Sequence, residues 1–110
     1  MDGAQVAGDE VFPVESVQHV LGALQDPVRL EIVRRLYNAG VPLQCAALYD
    51  GISKSTATHH FRILRQAGVT ERLVIDGLTH QHLRRSAVDG VIPGLLDSVI
   101  GRANREVGAS

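Results

Sequence analysis

Ser53-Lys54-Ser55-Thr56-Ala57-Thr58-His59-His60-Phe61-Arg62-Ile63-Leu64-Arg65-Gln66-Ala67-Gly68 is the stretch whose reading decides the fold. Ser53 is a helix N-cap, because its hydroxyl can accept from the free amides of the first turn. From Lys54 to Ala67 the apolar residues Ala57, Phe61 and Leu64 recur at helical spacing and share one face. Ser55, Thr58, His59, Arg62 and Gln66 fall on the opposite face. Gly68 is suited to end the helix. One side of this helix must therefore pack on a core, while the other presents short donors and acceptors with cations.

Working outward, Asp50-Gly51-Ile52 is a tight turn. The spacing before it predicts a short helix from Leu43 to Tyr49 with Leu43, Ala46, Ala47 and Leu48 inward. After Gly68 the period changes. Arg72-Leu73-Val74-Ile75, then Asp76-Gly77, then Leu78 to Arg84 is a hairpin signal, because both turn positions favour left-handed residues. Leu78, His80 and His82 share one strand face and Thr79, Gln81 and Leu83 the other. Two helices joined by a short turn and followed by a β-ribbon outline a helix-turn-helix with a wing. Upstream, Asp26 caps and Pro27 opens a helix whose stripe is Val28, Ile32, Val33 and Leu36, ended by Asn38-Ala39-Gly40. Arg29, Arg34 and Arg35 lie off that stripe and read as a solvated face. Before it, Pro13 opens a helix carrying Val14, Val17, Val20, Leu21 and Leu24, with Gly22 open to close approach by another backbone. The last segment repeats Val88, Val91, Ile92, Leu95, Leu96, Val99, Ile100 and Ala103 at helical spacing, its continuous part starting near Pro93.

The expected fold is mostly α with a small β-hairpin: a winged helix-turn-helix of about five helices and a two-stranded wing. Residues 13–107 form the domain, 1–12 a flexible arm without periodicity, and 108–110 a tail. At 110 residues the prior is one domain, small enough that a second chain adds useful core. The terminal stripe reads as a partner-helix surface. The expected homodimer contacts are Val17, Val20, Leu21 and Leu24 near the start, and Leu95, Leu96, Val99, Ile100 and Ala103 near the end.

The net charge of −1 hides a division. Residues 1–16 hold Asp2, Asp9, Glu10 and Glu15 and no Lys or Arg. Residues 53–85 hold Lys54, Arg62, Arg65, Arg72, Arg84 and Arg85 against Glu71 and Asp76, with four of the five histidines. A local basic surface is what phosphate binding requires, whatever the total. A single cysteine, Cys45, excludes an internal disulfide framework and fits a reducing cytoplasm, where the protein is expected. The acidic N-terminus does not read as a signal peptide, and no apolar run of ~18 residues suggests a membrane span.

Two motifs carry a resemblance to a known family. Leu24-Gln25-Asp26-Pro27-Val28-Arg29-Leu30-Glu31-Ile32-Val33 resembles the L-x-D-P-x-R-L-x-I-L opening of the ArsR-type (ArsR/SmtB) bacterial regulators. Ser53 through Val69 is similar to that family's recognition-helix signature. The likeness runs from about residue 14 to 100. It implies a five-helix winged domain, a dimer through the first and last helices, and operator binding that is usually repressive. Metal sensors of the family often carry Cys-x-Cys near the helix-turn-helix, or His and acidic ligands on the last helix. Here Pro42-Leu43-Gln44-Cys45 offers one thiol, and residues 87–110 contain no His and only Asp89, Asp97 and Glu106 as acids. A transition-metal site needs about four suitable donors. Neither a metal nor another cofactor is expected.

The candidate DNA contacts are Ser53, Lys54, Ser55, Thr56, Thr58, His59 and Arg62 at the start of the recognition helix, with Arg72, Thr79 and His80 on the wing. Side chains near that helix's N-terminus can reach base edges in the major groove, or phosphates through the helix dipole. His59 and His60 diverge on the helix, so His59 is assigned to DNA and His60 to packing. His80 and His82 share a strand face but lack further donors for a metal. Cys45 has two readings, a small buried hydrophobe or a redox-sensitive thiol. The partners expected are double-stranded DNA and a second copy of the chain, with no membrane. An effector, small-molecule or redox, is not identified by these residues. A protein-interaction module that kept the winged fold without DNA binding is the alternative. Catalysis is not expected, because a Ser and His pair on one short helix brings neither an orienting acid nor an oxyanion site.

Overall fold

The computed structural model describes residues 6–8 and 11–108. Its α-helices are α1 (Val17–Leu24), α2 (Pro27–Ala39), α3 (Lys54–Gln66), α4 (Arg85–Val91) and α5 (Leu95–Gly108). The strands are β1 (Val6–Gly8), β2 (Leu43–Gln44), β3 (Thr70–Ile75) and β4 (Leu78–Leu83), in one antiparallel sheet of order β1-β3-β4-β2. This is a winged helix-turn-helix. The β3–β4 ribbon pairs Ile75 with Leu78 across Asp76-Gly77, and both turn residues are left-handed (φ 51° and 80°). That is the geometry whose twist matches the strands it joins.

Local chemistry sets the helix ends. Asp26 accepts from the amides of Val28 (2.9 Å) and Arg29 (3.1 Å), and Gly40 closes α2 at φ 70°. Ser53 accepts from the Thr56 amide at 3.1 Å. The opening of α1 differs from expectation: Ser16, not Pro13, is its cap, accepting from the His19 amide. Pro13 and Val14 instead run over the end of α3, where Glu15 N donates to Ala67 O at 3.0 Å. Gly68 permits this, for a Cβ there would lie 2.3 Å from the Pro13 carbonyl oxygen.

The segment before α3 also departs from the expected helix. Leu43 and Gln44 pair with Gln81 and His80 of β4, leaving a single 3-10 turn, Cys45–Leu48. Two residues committed to the sheet leave five of the expected seven, too few for an α-helix to propagate. Leu48 is fully buried and Leu43 partly so, whereas Ala46 and Ala47 face solvent. The terminal stripe, in contrast, breaks near Pro93, where its continuous part was expected to begin. Gly94 is left-handed (φ 80°) and separates α4 from α5. Five α-helices result, but the short one is a 3-10 turn and the last segment supplies two.

The wing is broader than a two-stranded ribbon, because β2 joins β4 and β1 joins β3. Val6–Gly8 is a short strand within the stretch expected as a flexible arm, and Gly108, expected in the tail, ends α5; the parts of those expectations over residues 1–5, 9–10 and 109–110 lie outside the described residues.

The core is built from all the helices. Val20, Ile32, Val33, Leu36, Leu48, Leu64, Val88 and Ile100 are 0–1% exposed. This divides the residues expected to form a dimer surface. Val20, Leu24, Leu96, Ile100 and Ala103 are buried against their own chain, because a domain this small needs those stripes for its own core. Val17 and Leu21 remain exposed, and Leu95 and Val99 are half-buried.

Candidate nucleic-acid interface

Helix α3 is held by its apolar face. Ala57 and Leu64 are fully buried and Phe61 is 5% exposed, its ring edge-on to Tyr49 at 6.2 Å. Burial of one face leaves Ser55, His59, Arg62 and Gln66 outward and exposed. Their spacing of three and four residues sets them in one line along the helix. Ser53 Oγ lies 3.2 Å from Ser55 Oγ and accepts Thr56 N, while also reaching Thr56 Oγ1 at 2.9 Å. These exposed hydroxyls cluster at the positive end of the helix, where an anion is favoured. Thr58 Oγ1 donates to Lys54 O at 2.9 Å.

Lys54 and Thr58 sit on the flank of α3 that faces the wing. Together with Phe61, Arg65, Arg72, Thr79 and Gln81 they line an open groove. Arg72 and Thr79 share the inner face of the ribbon, with Arg72 Nη2 3.5 Å from Thr79 Oγ1. His80 does not join them. Alternation along β4 turns it to the opposite face, where His82 contacts the Glu71 carboxylate at 3.0 Å. Of the three wing residues expected to touch DNA, Arg72 and Thr79 therefore share one side of the sheet and His80 faces the other. Among the described residues no group of three or more His, Cys, Asp or Glu side chains could hold a metal ion.

The basic segment also divides. Arg84 donates to the carbonyls of Phe12 and Gly68, and Arg85 stacks on Tyr37 (4.3 Å to the ring centroid) while pairing with Asp97. Lys54, Arg62 and Arg65 lie on α3, and Arg72, which reaches Thr79, lies beside it on the wing.

Three arginines that read as a solvated face are structural. Arg29 Nε donates to Ala23 O at 2.7 Å, and Arg29 Nη1 lies 3.1 Å from His60 Nδ1, tying α1 and α2 to α3. His60 is 12% exposed, in keeping with its packing role. Arg34 and Arg35 both donate to Glu31, and Arg35 reaches on to Asp50 and Ala47 O in the segment before α3. Hydrogen bonds from Arg34, opposed by partial burial and aided by Arg35, hold the Glu31 carboxyl down at about 2. Polar side chains at helical spacing cannot announce which distant carbonyl they will meet, so these ties were illegible in the sequence. Cys45 lies half-buried beside the groove, with Gln81 Nε2 at 3.7 Å from its sulfur.

No helix of the described residues is long and apolar enough to cross a membrane. Residues 24–72, from the end of α1 through the first part of β3, match the family model described as a helix-turn-helix domain. The chain is also 34% identical over 82 residues to the uncharacterized HTH-type transcriptional regulator YceK of Bacillus subtilis (strain 168), spanning 73% of this chain and 82% of that protein. With its apolar face sealed and a polar, cationic face turned outward, α3 occupies the place of a recognition helix, and the chain belongs to the helix-turn-helix transcriptional regulators, a family of DNA-binding proteins.

Proposed function

We propose that the protein is a dimeric repressor of the ArsR type that binds an inverted-repeat operator. The observation that carries this reading is the exposed line Ser55, His59 and Arg62 on α3, backed by the unburied hydroxyls of Ser53 and Thr56 at the helix start. Arg62 suits guanine or phosphate, His59 and Ser55 suit base edges, and the hydroxyls suit phosphate oxygens. Lys54, Thr58, Arg72 and Thr79 flank that line on the wing side.

The dimer joins the α1 and α5 ends of two copies. Val17 and Leu21, one helical turn apart and about half exposed (52% and 47%), leave apolar surface that a second copy would cover. Half-buried Leu95 and Val99 would be the α5 residues of that interface. Two-fold symmetry would set the two α3 helices roughly 34–36 Å apart, one turn of duplex, and so match a palindromic site. The motifs at residues 24–33 and 53–69 support the ArsR assignment.

An electrophoretic shift on DNA from the protein's own upstream region, run at several salt concentrations, tests this reading. A sequence-preferring complex whose affinity falls steeply with salt, formed by a species of twice the monomer mass, is expected. A chain that binds no duplex would leave a protein-interaction module as the better account, and one that binds any duplex equally would contradict a specific operator.

A further inference from the structure

The groove between α3 and the inner face of the β3–β4 ribbon has a volume of ≈ 550 Å³, within the roughly 300–1,000 Å³ of small-molecule sites. Its chemistry is two-sided. Lys54, Arg65 and Arg72 bring cations to it, and among the described residues no carboxylate lines it. Neither the Lys54 nor the Arg65 side chain has a hydrogen-bond or ion-pair partner among the described residues. The same lining includes the edge-to-face rings of Tyr49 and Phe61, and Leu78, which is 51% exposed. Gln81, also in the lining, is 2% exposed, yet among the described residues its Oε1 has no partner and its Nε2 has only the weak acceptor Cys45 Sγ at 3.7 Å. A buried amide left this way calls for a further partner.

We infer that this groove binds a small organic anion with an apolar ring, and that its occupation weakens DNA binding. A DNA backbone would use the cations but leave the Tyr49, Phe61 and Leu78 wall without a match. A ring-bearing carboxylate or phosphate satisfies both halves. The coupling to DNA rests on the reading of α3 as the recognition helix: Lys54 and Thr58 lie in its first half, and an anion drawing on Lys54 competes with phosphate for that charge.

The binding half is tested on the free protein, without DNA. Phenylacetate and phenyl phosphate are titrated into isotope-labelled protein while backbone amide shifts are followed, and the rate at which N-ethylmaleimide alkylates the single thiol, Cys45, is measured alongside. Saturable shifts at Cys45, Thr58, Phe61 and Thr79, with slowed alkylation, are expected for both anions. Neutral phenylacetamide and inorganic phosphate should each bind about tenfold more weakly, the loss of one charge-assisted bond or of the ring's burial. Arg65→Gln should weaken binding by a similar factor and Arg65→Lys should largely restore it, with unchanged circular dichroism. Binding of inorganic phosphate as tight as that of phenyl phosphate would overturn the inference in favour of a plain phosphate seat. No saturable shift with either ring-bearing anion, or unaltered binding by Arg65→Gln, would overturn it outright. In the DNA arm, saturating phenylacetate should lower operator affinity; undiminished affinity would refute the coupling. Anion binding by a protein that binds no DNA would count against the repressor reading alone.

Discussion

Replacing Gly68 with alanine tests the packing that fixes the C-terminal end of α3. Gly68 has φ 82°, and a Cβ would meet Pro13 O at 2.3 Å, Val14 Cα at 2.5 Å and Pro13 C at 2.6 Å. All three are backbone atoms, so the segment itself must retreat by about 1 Å to reach ordinary contact. That retreat loosens Glu15 N from Ala67 O and Phe12 O from the Arg84 guanidinium. Left-handed strain costs about 1 kcal/mol. One neutral and one charge-assisted hydrogen bond add about 2.5 kcal/mol, for a total near 3–4 kcal/mol. Gly40→Ala is the control: its φ is 70° but nothing lies within 4 Å of the added Cβ, so only the strain remains. With a urea slope of about 1.5 kcal/mol/M, Gly68→Ala should lower the unfolding midpoint by roughly 2 M and Gly40→Ala by roughly 0.7 M. Losses that agree within about 0.5 kcal/mol would refute the close approach of residues 13–14 to the end of α3.

Glu31→Gln should destabilise the fold at neutral pH by about 1 kcal/mol, a figure discounted because the carboxylate is about a third exposed (34%). The folded carboxyl is held near 2, below its ordinary 4.5, so its stabilisation is present above pH 4.5 and lost as pH falls toward 2. Urea midpoints of variant and parent should therefore converge over that window; a constant gap would mean that packing, not charge, is what the substitution removes. Arg29→Met keeps the apolar stem but removes the bonds to Ala23 O and His60, costing about 1–2 kcal/mol by thermal or urea unfolding. It should leave the salt dependence of DNA binding unchanged, since Arg29 sits behind α3 and not on its outer face.

Much of the fold was legible because it is written in local chemistry. The caps at Asp26 and Ser53, the stripe Ala57, Phe61 and Leu64, and the Asp76-Gly77 turn each depend on residues close in sequence. What stayed hidden depends on distant partners. The stretch Leu43–Tyr49 has a pattern compatible with a helix, but β4 offers backbone partners to Leu43 and Gln44 and takes them into the sheet. Val6–Gly8 lacks strand-forming alternation, and its pairing is with the backbone of β3. At the site, helical spacing identified the outer line of Ser55, His59 and Arg62. It could not show that Arg65, one turn along the other flank, meets the wing across a groove. Strand alternation did carry the signal that Thr79 and His80 face opposite ways, since Thr79 pairs with Val74 and His80 with Leu73.

Contact between the outer face of α3 and DNA is tested most directly by the salt dependence of duplex binding for the parent, Arg62→Ala and Arg102→Ala. Arg102 is an exposed α5 cation paired with Glu106 at 3.0 Å, away from the proposed interface. Arg62→Ala should weaken binding and reduce the slope of log affinity against log salt by about 0.9 for each phosphate that Arg62 neutralises, while Arg102→Ala should change neither. Unchanged affinity and slope for Arg62→Ala, or equal weakening by the two variants, would contradict the placement of DNA on this face.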